Sequence, residues 1–231
     1  MTANEILALR PRIERFLRLF DECFVDDGTR HHLRVYVQGQ LSNLPRKSVE
    51  PIAVAADMAP KTLQQFLTLA KWDHLLMRDR LQQRVASRHR GPHVIGVFDE
   101  TGCPKKGHKT PGVQHQYCGA TGKNDNCIVT VHLALAEGPF HCLLDSELFL
   151  PEAWCGAAFA ETRPALGIPP ERTFETKIAW GLKRVTRVKA QGVPFALVAC
   201  DALYGRDRPF RAALDAAGVL YAAQVPADTN V

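Results

Sequence analysis

The stretch that most constrains this chain is His93–Thr101, HVIGVFDET. Its apolar, β-branched run (Val94, Ile95, Val97, Phe98) reads as a buried strand. The run ends in two acids, Asp99 and Glu100, and opens into the basic loop GCPKKGHK. An ionised carboxylate at the end of a buried strand is costly unless a cation or hydrogen bonds compensate it. A second stretch ends the same way: FALVACD closes on Asp201. A fold for this chain has to account for both acids.

Residues 1–90 carry helical periodicity instead. In ILALRPRIERFLRLFDECF the apolar positions Ile13, Phe16, Leu17 and Phe20 fall at helical spacing, with Arg12, Arg15 and Arg18 on the other faces. Ser48 is placed to cap a helix running to Ala56, and Pro60 sits in the first turn of a second, KTLQQFLTLAKW. Two short helices joined by ADMAP have the look of a helix-turn-helix, with Lys61, Thr62 and Gln64 leading the recognition helix. A plain helical bundle with a solvated basic face fits the same pattern equally well. Fifteen Lys and Arg against ten Asp and Glu precede residue 91, so this part holds most of the positive excess, a distribution that favours DNA contact.

The segment RHRGP at 88–92 interrupts the helical pattern and suggests a division into domains 1–90 and 91–231. After it the period changes. Strand one is His93–Asp99, and a loop over Gly102–Asp125 holds Lys105, Lys106, Lys109 and Lys123 with five glycines. NCIVTVHLALAEG and FHCLLDSELFLP read as a hairpin joined at Gly138-Pro139. In the latter, Asp145 and Glu147 alternate with apolar neighbours, as on the wet face of a strand. A helix follows over FETKIAWGLKRVTRVKAQ, then strand four (FALVACD), a helix over DRPFRAALDAAG, and strand five (VLYAAQV). Three antiparallel strands and then a βαβαβ half are the order of a ribonuclease H-like fold. The expected architecture is therefore α/β: a mixed five-stranded sheet with helices, preceded by an α-helical N-terminal DNA-binding domain.

That order makes a chemical prediction. Strands one and four become parallel neighbours, about 4.8 Å apart, with Asp99 and Asp201 at matching ends. Two close carboxylates repel unless a proton or cation sits between them. Hard oxygen ligands suit Mg²⁺ or Mn²⁺, and such ions serve phosphodiester transfer. Asp99 and Asp201 are therefore the candidate catalytic and metal-binding residues. Lys105, Lys106, Lys109 and Lys123 are candidate DNA-backbone contacts, although a flexible surface loop fits that stretch about as well, and Lys61, Thr62 and Gln64 are candidate base-edge contacts.

Other classes lack their signatures. No GxxxxGKS/T, GxGxxG after a strand, GxSxG or HExxH occurs. Seven cysteines form no CxxC pair, which argues for reduced thiols and against disulfides or a zinc finger. The longest apolar runs are about ten residues, too short to cross a bilayer, and MTANEILALRPRIE has no apolar signal core. A cytoplasmic location is expected. Net charge +5 and pI 8.9 are compatible with a nucleic-acid partner.

The stretches FDETGCPKKGHKTPGVQHQYCGATGKNDNC, LLDSELFLPEAW, FETK and VACDALYG resemble the DDE transposases of bacterial insertion sequences, in the branch with a DDE superfamily endonuclease domain. LPRKSVEPIAVAA and WDHLLMRDRL are similar to that branch's N-terminal region, so the resemblance spans nearly the whole chain. It implies a ribonuclease H-like domain and Mg²⁺-dependent (or Mn²⁺-dependent) cutting and joining of DNA. The implied partner is double-stranded DNA, both the terminal repeats and the target, with self-association on that DNA at the bacterial nucleoid. Asp99 matches the first catalytic aspartate of the family and Asp201 the second, while Leu203 departs from the small residue expected before Tyr-Gly. The family's third acid is a glutamate on a helix well after strand five, and the chain stops at VPADTNV. A truncated transposase, a split reading frame or a decayed copy is therefore expected, with an incomplete triad, a weakly held cation, impaired strand transfer and one sheet face exposing apolar area. The alternatives are a non-catalytic DNA-binding fragment that occupies transposon ends or represses transposition, and an unrelated metal nuclease.

Overall fold

Helical periodicity in the first third and β-branched runs in the remainder build two units, Met1–Arg80 and Leu81–Val231. The structure is a computed structural model and describes residues 3–228. No helix among the described residues is long and apolar enough to cross a membrane.

The first unit contains α1 (Ala3–Leu17), a 3₁₀ turn over Arg18–Cys23, α2 (Asp27–Leu41), α3 (Val49–Ala55), α4 (Pro60–Leu69) and the start of α5 (His74–Arg88). Of the predicted apolar positions, Leu17 and Phe20 are buried, whereas Phe16 remains 41% exposed. Asp26 caps α2 by accepting the Thr29 N–H at 2.8 Å, and that bond lowers its carboxyl below the usual carboxylate range. Ser48 is the N-cap residue of α3 but makes no side-chain cap bond. The α3–α4 link is a Schellman turn. Asp57 takes the left-handed conformation (φ 52°), its N–H bonds Val54 O at 3.1 Å, and the Met58 N–H bonds Ala53 O at 2.9 Å. Pro60 occupies the first turn of α4, where its missing N–H costs nothing. Leu63 and Phe66 turn inward from α4 while Lys61 and Gln64 face solvent.

The second unit opens within α5, at Leu81 and not at the expected residue 91, because Gln82, Val85 and Ala86 of that helix are buried with the sheet core. Gln82 donates to Leu144 O at 2.9 Å. The strands are β1 (Ile95–Pro104), β2 (Gln114–Cys118), β3 (Lys123–Glu137), β4 (Phe140–Leu148), β5 (Leu197–Cys200) and β6 (Tyr221–Ala223). Short α6 (Glu152–Cys155), α7 (Lys177–Ala190), α8 (Ala202–Gly205) and α9 (Arg208–Ala216) complete it. The sheet runs β3-β1-β5-β6, antiparallel between β3 and β1 and parallel thereafter. Both β4 and β2 pair antiparallel with β3, β4 along residues 130–137 and β2 along 123–127. Glycine at φ 56° followed by proline makes the two-residue turn between β3 and β4.

Three sequence expectations are corrected. The sheet has six strands, not five, because much of the Gly102–Asp125 loop is strand: β1 continues to Pro104, β2 forms, and β3 starts at Lys123. Polar residues on both faces of QHQYC hide that strand from a hydrophobic pattern. Strand one therefore does not end at Asp99, since β3 keeps pairing with it as far as Pro104 opposite Cys127. Asp145 is not on a wet face. The β3–β4 register shifts between Leu133 and Ala134, so Leu144 is an inserted bulge residue and both Leu144 and Asp145 are buried. Asp145 is compensated by Arg187 and by Arg184 at 3.5 Å, and Glu147 by Arg184 at 3.1 Å and Arg172 at 3.5 Å. The guanidinium groups of Arg172 and Arg184 each lie 4.1 Å from the Trp180 ring centroid.

One face of the sheet is covered. Phe98, Val131, Leu133, Leu135, Val185, Val198, Tyr204, Phe210 and Leu214 form its core. On the other face Val97, Ala134 and Leu143 stand directly across from one another, with Val97 38% and Leu143 49% exposed. The α8 turn closes down on β6 at Gly205, where a Cβ would lie 1.9 Å from Gln224 O. Gly205→Ala is expected to destabilise the chain by roughly 1–3 kcal/mol through overpacking. Gly107→Ala, which meets nothing within 4 Å, should be near neutral, and urea unfolding of both variants checks the contrast.

Candidate active site

Parallel pairing of β1 with β5 lasts four residues and ends at Phe98 opposite Cys200. The next residue on each chain is an acid. Asp99 alternates away from buried Phe98, and Asp201 is still extended (φ −80°, ψ −175°), so it leaves the sheet opposite buried Cys200. Both carboxylates therefore emerge on the open face from neighbouring strands, and both are exposed. The burial cost expected for Asp99 from sequence does not arise. Asp99 Oδ1 accepts the Glu100 N–H at 2.7 Å, and Asp201 Oδ1 accepts the Leu203 N–H at 3.0 Å as the cap of α8.

His132 joins this pair, and sequence reasoning passed over it. It stands opposite Asp99 across the β1–β3 ladder and opposite Ser146 across β3–β4. Its ring nitrogens engage Thr130 Oγ1 at 2.8 Å and Ser146 Oγ at 2.9 Å. Burial lowers its pKa below the ordinary value, against the opposing pull of the Asp99 charge. The only sequence signal was a histidine at an alternate position of the apolar run TVHLALA.

Glu100 points to the covered face. Its Oε1 receives Lys177 Nζ at 2.9 Å, and Tyr204 OH donates to Oε2 at 3.4 Å. Lys177 begins α7, and its Nζ also lies 5.3 Å from the Phe149 ring. Burial pushes the Tyr204 phenol well above its ordinary pKa, and the nearby charges of Glu100, Asp201 and Asp99 push it further. All seven cysteines are free thiols, and burial raises Cys127 and Cys200 to about 11, which disfavours their thiolates.

Beyond Asp99 the sheet continues as β1, β3 and β2, and this extension carries the loop lysines. Asn126 pins the loop by donating to Lys105 O at 2.7 Å and Gly107 O at 3.0 Å, while the Lys105 N–H returns to Asn126 O at 2.8 Å. Lys106, Lys109 and Lys123 are exposed and Lys105 is half-buried. Lys61, Thr62 and Gln64 lie in the other unit, on α4.

A family model described as DDE superfamily endonuclease matches residues 19–231. The chain belongs to this family. It is also similar to a probable transposase for insertion sequence element IS701 from Microchaete diplosiphon, 28% identical over 211 residues, which are 90% of this chain and 52% of the relative. The chain thus spans about half the length of that curated relative. Among the described residues of this DDE superfamily member, no group of three or more His, Cys, Asp or Glu side chains is placed to hold a metal ion. The two-carboxylate rim still suits a hydrated ion, because Mg²⁺ typically takes one or two carboxylates and fills its remaining positions with waters and phosphate oxygens.

His132 has a stability consequence. With its folded pKa below the unfolded one, neutral His132 favours the native state above about pH 6.5. As pH falls below that value, the unfolded chain takes up the proton first and the contribution is lost. The thermal midpoint should therefore fall between pH 7 and pH 5, and His132→Gln should fall less steeply, as differential scanning fluorimetry across that range can measure.

Proposed function

We propose that this chain acts as a transposase at insertion-sequence ends, with Asp99 and Asp201 as the acids that hold Mg²⁺ or Mn²⁺ for DNA cleavage and strand transfer. The observation that carries the reading is the Phe98–Cys200 register, after which both acids emerge together on the open face. Membership of the DDE superfamily endonucleases and the likeness to the probable IS701 transposase support it. The strand order, two antiparallel pairings followed by two parallel ones, supports a ribonuclease H-like reading of residues 91–231.

A divalent ion bound there would lower the cost of a developing charge on the scissile phosphate. The chain's own residues prepare the site for it. Asp99 and Asp201 each commit one oxygen to a backbone N–H, which orients the carboxylate toward the open face. His132, kept neutral, leaves the negative charge of Asp99 uncompensated and available to a cation. Glu100 is already paired with Lys177, and for that reason Asp99 is assigned as the ligand.

DNA is held elsewhere in this reading. Lys105, Lys106, Lys109 and Lys123 grip phosphates beside the acids, and residues 1–90 form a DNA-binding domain in which Lys61, Thr62 and Gln64 reach the duplex. The duplex carries the terminal repeats and later the target, and copies of the chain associate on it.

Asp99→Asn and Asp201→Asn should each weaken Mn²⁺ binding by about tenfold or more and abolish cleavage of terminal-repeat DNA. Activity or binding that survives either change sinks the assignment. Replacing Lys105, Lys106, Lys109 and Lys123 by alanine should reduce the slope of log affinity against log salt by about 0.9 per lost phosphate contact. Fluorescence anisotropy across a salt series measures this, and an unchanged slope removes the loop from the interface.

A further inference from the structure

Tyr204 is wholly buried, yet it contacts both neighbours of an exposed acid in the sequence of β1. It lies on α8, the turn that Asp201 itself caps, three residues beyond that cap. Its ring meets Phe98 edge-on, with centroids 4.5 Å apart and planes at 76°. Its hydroxyl donates to Glu100 at 3.4 Å. Phe98 and Glu100 are the residues immediately before and after Asp99 on β1. One side chain on the Asp201 turn therefore holds the strand on both sides of Asp99, from the covered face of the sheet.

Each half of that grip is itself held. Phe98 packs under α7 at Gly181, where a Cβ would lie 2.5 Å from Phe98 Cε1. Glu100 is tied to the first residue of α7 by Lys177 at 2.9 Å. The α8 turn is closed by the Gly205 N–H to Asp201 O at 2.8 Å. The ladder itself does not set the Asp99–Asp201 relation, because the parallel pairing stops one residue short of both acids. Beyond that point β1 follows β3 while the other chain turns into α8.

We infer that Tyr204, acting with Glu100 and Phe98, is a positioning residue that sets the relation between the Asp99 and Asp201 carboxylates from behind the sheet. It touches neither substrate nor cation. The inference rests on the metal-pair reading of those two acids, and its test separates the two.

The 231-residue chain is titrated with Mn²⁺, the unbound ion being followed by electron paramagnetic resonance, and hydrogen–deuterium exchange is measured without metal. Tyr204→Phe keeps the ring contact and deletes only the hydroxyl. It is expected to weaken Mn²⁺ binding about tenfold, in the range of changes behind metal ligands, and to speed exchange in both 95–101 and 201–206. Exchange across β3 and β4 should stay at the parent rate, a pattern that general loosening would not give. Glu100→Ala, which removes the acceptor of the phenol together with the partner of Lys177, should weaken Mn²⁺ binding at least as much as Tyr204→Phe and speed exchange in the same two segments. Parent-like Mn²⁺ affinity and parent-like exchange in Tyr204→Phe, alongside lost binding in Asp99→Asn, overturn the inference and leave the metal pair standing. A parent chain with no Asp99-dependent Mn²⁺ binding sinks the metal pair instead. In that event exchange decides alone: acceleration in both segments sustains the positioning role, and acceleration confined to 201–206 overturns it.

Discussion

Four residue pairs between β1 and β5 are the constraint on which the rest of the second unit depends. That short parallel ladder sets Phe98 beside Cys200 and so brings the two ends of a crossover about one hundred residues long to adjacent positions. Parallel neighbours require a crossover connection. Here it holds β2, the β3–β4 hairpin, the irregular segment with α6, and α7. Stopping the ladder at the fourth pair is equally important. A longer one would carry Asp201 into strand geometry and remove the α8 turn that this acid caps.

The two faces of the sheet differ in what they bury and what they leave exposed. On the covered face Phe98, Leu133, Leu135, Leu144 and Tyr204 are at most 2% exposed, and burying a large apolar side chain is worth about 1.5–3 kcal/mol each. Charges on that side are matched: Asp145 and Glu147 by three arginines, and Glu100 by Lys177. The open face has a shallow apolar row, Val97, Ala134 and Leu143, and then a polar row, Asp99, His132 and Ser146. An acid that must accept a hydrated cation has to stay accessible to solvent. Asp99 meets that requirement and Glu100, one residue on, does not.

Much of this architecture was legible in the residues. The apolar runs ending at Asp99 and Asp201, the Gly138-Pro139 hairpin, Pro60 at the start of α4 and the helix leading to Gln191 all follow from local preferences. Those preferences act over a few residues. Features that depend on distant partners were not legible. QHQYC becomes β2 because the start of β3 pairs with it, not because its own pattern demands a strand. Asp145 is buried because a bulge shifts the alternation by one residue and because arginines from another element neutralise it. His132 belongs to the site through cross-strand register alone. The break between units lies within α5 because the later part of that helix contributes to the sheet core, which no composition change records.

The sequence by itself determined most of the element types and their order, the two acids that close apolar runs and the lysines beyond the first of them, since these follow from periodicity, turn chemistry and charge. Only the tertiary structure decided which acid of the Asp99–Glu100 pair faces outward and what stands behind it. Consecutive strand residues alternate between faces, and a strand's own sequence does not say which face the helices will cover. Once α7 and α8 pack against Phe98, Glu100 must find Lys177 and Tyr204, and Asp99 is left at the surface beside Asp201.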